Sequence, residues 1–464
     1  LGVVQGDVVE YYFEVWDNDG VHGAKSSRST TRTFAPPTSE ELREEREEES
    51  SAIENQIESA LEEAQNLSRE MEELKERLRE DETFDYQDKR ALEAFLKEQE
   101  QLREQIENLK QANERKDQRS SEFSETEERI LQKQEQLQQL LDEVMNDELR
   151  ELYAEMQKLL EEMNPDLEEI QEQLESMQVD QESLEKELDR ALEQFKQMEW
   201  EVGMEEVMQD LEELAEQQLD LAEQTEQESL PNEEIKEKQD SLNVAFEELM
   251  ERLNELEEKN ESLESPNPML DTETEEQSIQ ESMQESSDQL EKEKSKKASE
   301  KQNSAGEQMQ QMAQQMDQMM QQSQEESLEE DMDALRALLE NIITLSFDQE
   351  EVMELVRGTA ADDPAYVDHG QTQQRLQSDA RMVEDSLLAL SKRITVLAST
   401  VNHEIGLVKH HMDKALGQFG DRQTAVITEQ QQYVMTSFNN LALMLDEALR
   451  AMQQQMAEGQ PGSG

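Results

Sequence analysis

The sequence predicts a mainly α protein. A long acidic body of coiled-coil or helical-hairpin segments leads to a C-terminal helical bundle, and a β-hairpin that reads as the truncated edge of an immunoglobulin-like sandwich precedes both. Three observations carry this expectation. Apolar residues recur at alternating spacings of four and three from Ile53 to Leu78, the seam of a coiled coil. Wide apolar stripes follow Leu328, as bundle helices require. At the front, Val9, Tyr11, Phe13 and Val15 share one face of an alternating pattern, with Glu10 and Glu14 on the other, the period of a half-buried strand.

Composition limits what else the chain can be. Its 464 residues carry a net charge of -73, with 34% charged residues, 4% aromatic residues and no cysteine. Apolar content is low and mostly Leu and Met, which argues against one large globular core and fits long helices. Phosphate binding needs clustered Lys and Arg, so nucleic acid is not an expected partner. The lack of cysteine removes disulfides, thiolate catalysis and Cys-type zinc sites. No run of 18 apolar residues is present to span a bilayer.

Residues 1–37 form the hairpin. Val8 to Trp16 is one strand, Asp17-Asn18-Asp19-Gly20 supplies turn chemistry, Ser27 to Phe34 returns, and Pro36-Pro37 ends the unit. A lone hairpin is marginally stable in water. Asp7 precedes Tyr11 by four positions and Phe13 by six, the spacing at the start of strand F in immunoglobulin-like domains. These residues are therefore expected to be the last two strands of a sandwich whose other strands lie upstream, the chain being a fragment. Gly20 to Ser26 imitates a phosphate-binding loop but fails, because Ala24 separates Gly23 from Lys25. Asp17 to Gly20 lacks the spacing and closing Glu of a calcium loop.

Residues 38–264 are the acidic coiled-coil helices. Ser39 is a fitting N-cap, and Ile53, Ile57, Ala60, Ala64, Leu67, Met71, Leu74 and Leu78 make the first seam. A second runs from Leu92 to Leu109 with Gln99 as its one polar position; others run from Met145 to Met163 and from Leu184 to Met198. Breaks are expected near 81–88, 113–121, Asn164-Pro165, Gly203 and Pro231, which favours antiparallel hairpins over a rod. Lys and Arg are too few to balance Glu across the flanks, so parallel self-pairing is repulsive and a less acidic or basic partner relieves it.

Residues 265–308 read as a low-complexity linker or thin helix, broken by Pro266 and Pro268. Residues 309–327 form a Met/Gln-rich helix in which Met309, Met312, Met316 and Met319 share one stripe. Such a stripe is ordinarily a soft apolar seam; copper(I) ligation by thioethers is the alternative. Residues 328–458 form the bundle, with Leu387 and Leu390 on its second stripe and Leu441 and Leu445 on its third. Residues 459–464 begin a flexible linker. His403 and His410 share a helical face beside His411, yet no third ligand can be named and the spacing is not that of a zinc protease. No nucleophile context appears. The chain is read as no enzyme, and no catalytic, cofactor-binding or metal residue is assigned.

"YYFEVWDNDGVHGAKSSRS", "LLENIITLSFDQEEVM", "VEDSLLALSKRI" and "YVMTSFNNLALMLDEALRAMQQQM" together resemble the domain-of-unknown-function 4175 family of bacterial membrane proteins. The resemblance covers nearly the whole chain, and its two C-terminal stretches are the specific part. It implies transmembrane helices upstream, then an extracytoplasmic region of sandwich-like and long helical parts. It brings no reaction and no catalytic residues.

The functional expectation is a noncatalytic, membrane-anchored envelope scaffold or protein–protein interaction module, extracytoplasmic or periplasmic, that is part of a longer protein. Its expected partners are proteins, self-association included, with membrane contact only through an anchor outside this chain. The expected interaction stripe is Met309, Met312, Met316, Met319, Leu387, Leu390, Leu441 and Leu445, with residues 328–456 as the docking surface. The alternative is a chaperone-like binder of apolar clients through Met- and Leu-rich stripes.

Overall fold

The computed structural model describes residues 8–16, 25–35, 38–80, 84–123, 128–144, 147–162, 166–394, 397 and 400–459. These residues form eleven helices and four short strands. The protein is mainly α with an N-terminal β-hairpin. No helix among the described residues is long and apolar enough to cross a membrane.

In the hairpin, β1 (Val9–Tyr11) pairs antiparallel with β4 (Arg32–Phe34), and β2 (Glu14–Trp16) pairs with β3 (Ser26–Arg28). The register changes by one residue between the pairs Tyr11↔Arg32 and Glu14↔Arg28, as at a β-bulge. Ser29 fills the step: its N–H donates to Phe13 O, and its hydroxyl accepts from Phe13 N, each at 2.9 Å. Val8, Phe13, Val15, Trp16 and Phe34 are all exposed. The turn at 17–20, the rest of the loop to Ala24, and Asp7 lie outside the described residues.

The helices build three successive bundles that share two long helices. The first contains α1 (Ser39–Glu80), α2 (Tyr86–Phe123), the short pair α3 (Glu128–Glu143) and α4 (Asp147–Glu161), and the first half of α5 (Leu167–Glu226). The Ile53–Leu78 seam is buried throughout. Helix α1 runs antiparallel to α5: Lys196 pairs with Glu58 at 3.1 Å, and Gln171 Nε2 donates to Leu78 O at 2.6 Å.

The second half of α5 joins α6 (Asn232–Glu261), α7 (Glu273–Glu291) and the start of α8 (Ser295–Gly358) in an up-down-up-down bundle. Arg252 pairs with Asp210, Lys236 with Glu291, and Lys301 with Glu285, at 2.5–2.8 Å. The rest of α8 joins α9 (Ala365–Arg393), α10 (Thr400–Phe419) and α11 (Thr424–Gly459) in the third.

Several expected boundaries need correction. Of the two readings of residues 265–308, linker or thin helix, the helix is the one present: within them only 265–272 and 292–294 are not helical. Ile279, Met283, Leu290, Ala298 and Ala305 are buried, a narrow apolar edge that suffices when three neighbouring helices cover it. Helix α8 runs unbroken through 308/309 and 327/328, with no Pro and with Gly306 as the one Gly between Ser295 and Gly358. That glycine serves packing. A Cβ there would stand 2.7 Å from Leu219 Cγ and 3.1 Å from Ala215 O, so its absence lets α8 lie close on α5. Helix α2 also continues through 113–121, and α5 through Gly203. Pro231 does end a loop, as the N-cap of α6.

A buried glutamine network crosses each bundle. In the first, Gln99 Nε2 donates to Gln181 Oε1 at 2.7 Å, Gln181 Nε2 to Ala64 O at 3.1 Å, and the Tyr153 hydroxyl to Gln99 Oε1 at 2.9 Å. In the second, Gln239 Oε1 accepts from Gln218 and Gln302 at 2.9 and 3.0 Å, and from the Ser286 hydroxyl at 3.2 Å. In the third, Gln373 Oε1 accepts from Gln349 and Gln431 at 2.9 and 2.8 Å. A wrong register would strand these amides in apolar surroundings, so each network ties its helices to one alignment.

The first and third bundles meet through charge rather than a shared apolar core. Arg190, 1% exposed, donates to the carbonyls of Leu397 at 2.5 Å and Ile394 at 3.4 Å, just beyond α9. Lys409 pairs with Glu182 and Lys414 with Glu175, at 2.7 and 2.8 Å. Lys392 bridges Asp189 and Glu264. This junction fixes the loop at 262–272, and that loop becomes a wall of the site below.

Candidate functional site

Where α8 leaves the second bundle for the third, its burial lapses. Met316 is 4% exposed, and no residue from 317 to 330 is fully buried. A cleft of about 520 Å³ opens at this neck. Its floor is Trp200 and Met204 of α5, one side is Leu253, Asn254 and Glu257 of α6, and the other is Met316, Met319, Met320, Ser323 and Gln324 of α8. The loop after α6 supplies the end wall, with Met269 and Leu270 half-buried against it.

The opening follows from the chain's breakers. Pro266 and Pro268 prevent α6 from continuing, so a loop rather than a helix faces α8 at this level. A polar clasp holds that loop. Asn267 N donates to Asn260 Oδ1 at 2.8 Å, Asn260 Nδ2 returns to Asn267 O at 2.8 Å, and Gln197 and Asn267 exchange amide hydrogen bonds at 3.0 and 3.1 Å. The Glu264 N–H also donates to Glu193 at 2.7 Å.

Chemically the cleft is soft and acidic. Five methionines line it with a tryptophan and two leucines, and no Lys or Arg is among the lining residues. Glu257, Asp271 and Glu273 stand exposed on the rim. Glu201 is buried and already held by Lys133 at 2.6 Å. The indole N–H of Trp200, a residue 4% exposed, is buried and finds no acceptor among the described residues. An unmet buried donor carries a penalty of about 1–3 kcal/mol.

The expected interaction stripe separates into two sets. Met309, Met312, Leu387, Leu390, Leu441 and Leu445 are 0–3% exposed inside the second and third bundles, so they are core and offer no docking surface. They point inward because each helix packs its apolar face on three neighbours. Met316 and Met319 do reach the cleft. Nothing in the spacing had singled out Trp200, Met204, Met269 or Met320. The visible signal was Met269-Leu270, an apolar pair in the Pro-broken segment 265–272.

The histidines do not converge. His403 Nδ1 lies 3.0 Å from Asp180, while His411 bonds Gln430 at 2.8 Å and stacks on Tyr433. His410 faces a second cavity of about 600 Å³ at the charged junction, among Lys75, Arg79, Lys409 and Lys414. Burial, reinforced by Lys414 and His411, pushes its pKa down to about 4. Burial, aided by Arg79 and Lys414, likewise lowers that of Lys75. Glu175 and Glu182 lie in the same cavity already bound to lysines, which makes it a seam of ion pairs. Among the described residues no group of three or more metal-ligating side chains is placed to hold an ion.

No protein-family model matches the chain, and no curated protein and no solved structure shows significant similarity to it.

Proposed function

We propose that the chain is a noncatalytic scaffold and protein-interaction module, and that the cleft at the neck is where a protein partner docks. The observation that carries this reading is the open end of an otherwise closed methionine stripe. The sequence's apolar stripes are spent on bundle interiors, whereas Met319, Met320, Met269 and Leu270 remain half-exposed around a preformed cleft. A concave cleft of this size that sets apolar side chains beside fixed polar groups is a common form of binding site; here methionines, a tryptophan and leucines share the lining with amides, hydroxyls and carboxylates. The glutamine networks and the Asn260–Asn267–Gln197 clasp support it by fixing the walls before a partner arrives, which lowers the ordering cost of binding.

The resemblance to the domain-of-unknown-function 4175 family supports placing this module outside the cytoplasm in a bacterial envelope, anchored through a segment outside this chain. The exposed Phe13, Val15 and Trp16 support reading the hairpin as the edge of an immunoglobulin-like sandwich. The methionine lining also favours a second reading, a chaperone-like cleft for varied apolar clients, since thioethers repack around different shapes.

Photoreactive residues in the full-length protein, expressed in its own cells, test the reading. One replaces Ser323 in the cleft; the control replaces Leu443, 64% exposed on the third bundle. One reproducible envelope adduct from position 323, absent from 443, is the expected result. A spread of unrelated unfolded proteins at 323 selects the chaperone reading. No adduct at 323, or the same adducts from both positions, overturns the docking role.

A further inference from the structure

We propose that the occupant of the cleft is a basic amphipathic helix of another protein, its apolar face on the methionines and its Lys and Arg side chains over the rim carboxylates. This rests on reading the cleft as a protein-docking site and names the class of partner.

Charge narrows the occupant first. The lining holds no cation, and Glu257, Asp271 and Glu273 are exposed where a partner's cations can reach them. Asp271 accepts from the Glu273 N–H at 3.4 Å and Glu273 from the Gln277 side chain at 3.3 Å, whereas Glu201 already binds Lys133. A net charge of -73 raises the local concentration of cationic segments and repels a second copy of this chain or an anionic lipid surface. A basic segment satisfies both the rim and the long-range field.

Shape narrows it further. The walls are helices α6 and α8 above a floor of α5, and no strand edge lies in the cleft for an extended peptide to join. Grooves of this kind take a helix through apolar anchors spaced three and four residues apart. A volume of about 520 Å³ accommodates a few anchors, not a folded domain. Methionine adapts to their exact shape.

Trp200 supplies an independent readout. Its N–H is buried without an acceptor while the ring floors the cleft. A partner seated on this ring changes the polarity around it. The indole then reports occupancy directly. The chain has two tryptophans, so Trp16→Phe leaves Trp200 as the sole tryptophan, excited selectively beyond the tyrosine absorption band.

The test is titration of the Trp16→Phe chain with synthetic helices of about four turns. One is a Leu/Lys peptide with apolar residues at helical spacing, the second a scramble of the same composition without that spacing, and the third the Leu/Glu counterpart of the first. The amphipathic basic peptide should shift Trp200 emission saturably and bind at least tenfold more tightly than the scramble, and the acidic peptide should not bind. Binding should weaken as salt rises. Met319→Ser with Met320→Ser should reduce affinity at least tenfold with the helical content unchanged, whereas Leu443→Ser should not.

Equal binding of the scramble would reduce the effect to general charge attraction and overturn the proposal. So would equal binding of the acidic peptide, or binding that leaves Trp200 unmoved. A cellular adduct at position 323 together with failure of the basic peptide would refute the partner class alone. Failure of both experiments would remove the docking role with it.

Discussion

Met309 and Met320 lie on one unbroken helix, yet they meet different worlds. Met309 is fully buried against α5 and its neighbours, while Met320 is half-buried at the edge of a cleft. Composition and helix propensity are the same along the stretch. What differs is the element opposite: helix at the level of Met309, and a Pro-broken loop beside Met320. The contrast shows that a stripe's role depends on what the rest of the chain places against it. A methionine covered on all sides holds the fold together; one left half-covered can hold something else.

The comparison can be broken by mutation, starting at the closed end. Met309→Ala should cost about 2–5 kcal/mol by leaving a cavity in the second bundle, read as a lower urea midpoint, while the folded fraction keeps its peptide affinity. Next in size, Gln239→Leu removes the common acceptor of Gln218, Gln302 and Ser286. It should cost about 1–3 kcal/mol, measured in the same unfolding assay. Asn267→Ala opens the clasp on the cleft wall and should lower peptide affinity several-fold with little change in midpoint. Met320→Ala should be nearly silent in stability, within about 0.5 kcal/mol, and visible in binding.

The charged junction provides a pH axis beneath the neck. His410 faces Lys75 and Arg79 from α1, Glu175 and Glu182 from α5, Lys409, His411, Asp413 and Lys414 on its own α10, and the neutral Gln430 from α11. Its pKa falls from 6.5 to about 4 on folding, so between those values the unfolded chain binds a proton that the fold excludes. Stability from this residue is therefore present above pH 6.5 and lost as pH falls toward 4. Asp117 acts in the opposite sense: burial raises its pKa to about 6, so the fold gains relative stability as pH falls below that value. Urea unfolding at pH 7 and pH 5 should show a smaller acid loss in His410→Gln than in the parent chain.

Much of the frame was legible in the sequence. The Ile53–Leu78 seam, the stripes after Leu328, and the breaks at Pro231 and at Pro266 and Pro268 all have direct local causes. Gly203 and the segment 113–121 misled, because an isolated glycine or polar run inside a long helix is outweighed by packing on both sides. Segment 273–308 was legible only as linker or thin helix because of its Ser, Gln and Lys content: a narrow edge of Ala298, Ala305 and Met283 becomes a core only when α5 and α6 cover it. The glutamine networks were nearly invisible, since a buried Gln in a Gln-rich chain looks like a surface one. Gln99 was noticeable only because it interrupted a seam. In the cleft, Met316 and Met319 were visible from their spacing, but Trp200 and Met269 come from distant stretches that only the tertiary fold brings to them.

The most direct test of the open and closed stripe is methyl NMR of the intact chain with carbon-13 methionine methyls, assigned by single Met→Leu variants, in the presence of a soluble paramagnetic probe. Met269, Met319 and Met320 should broaden strongly, and Met309 and Met312 should be spared. Equal protection of all five would mean that the cleft is closed in solution, and the account of its function would not stand.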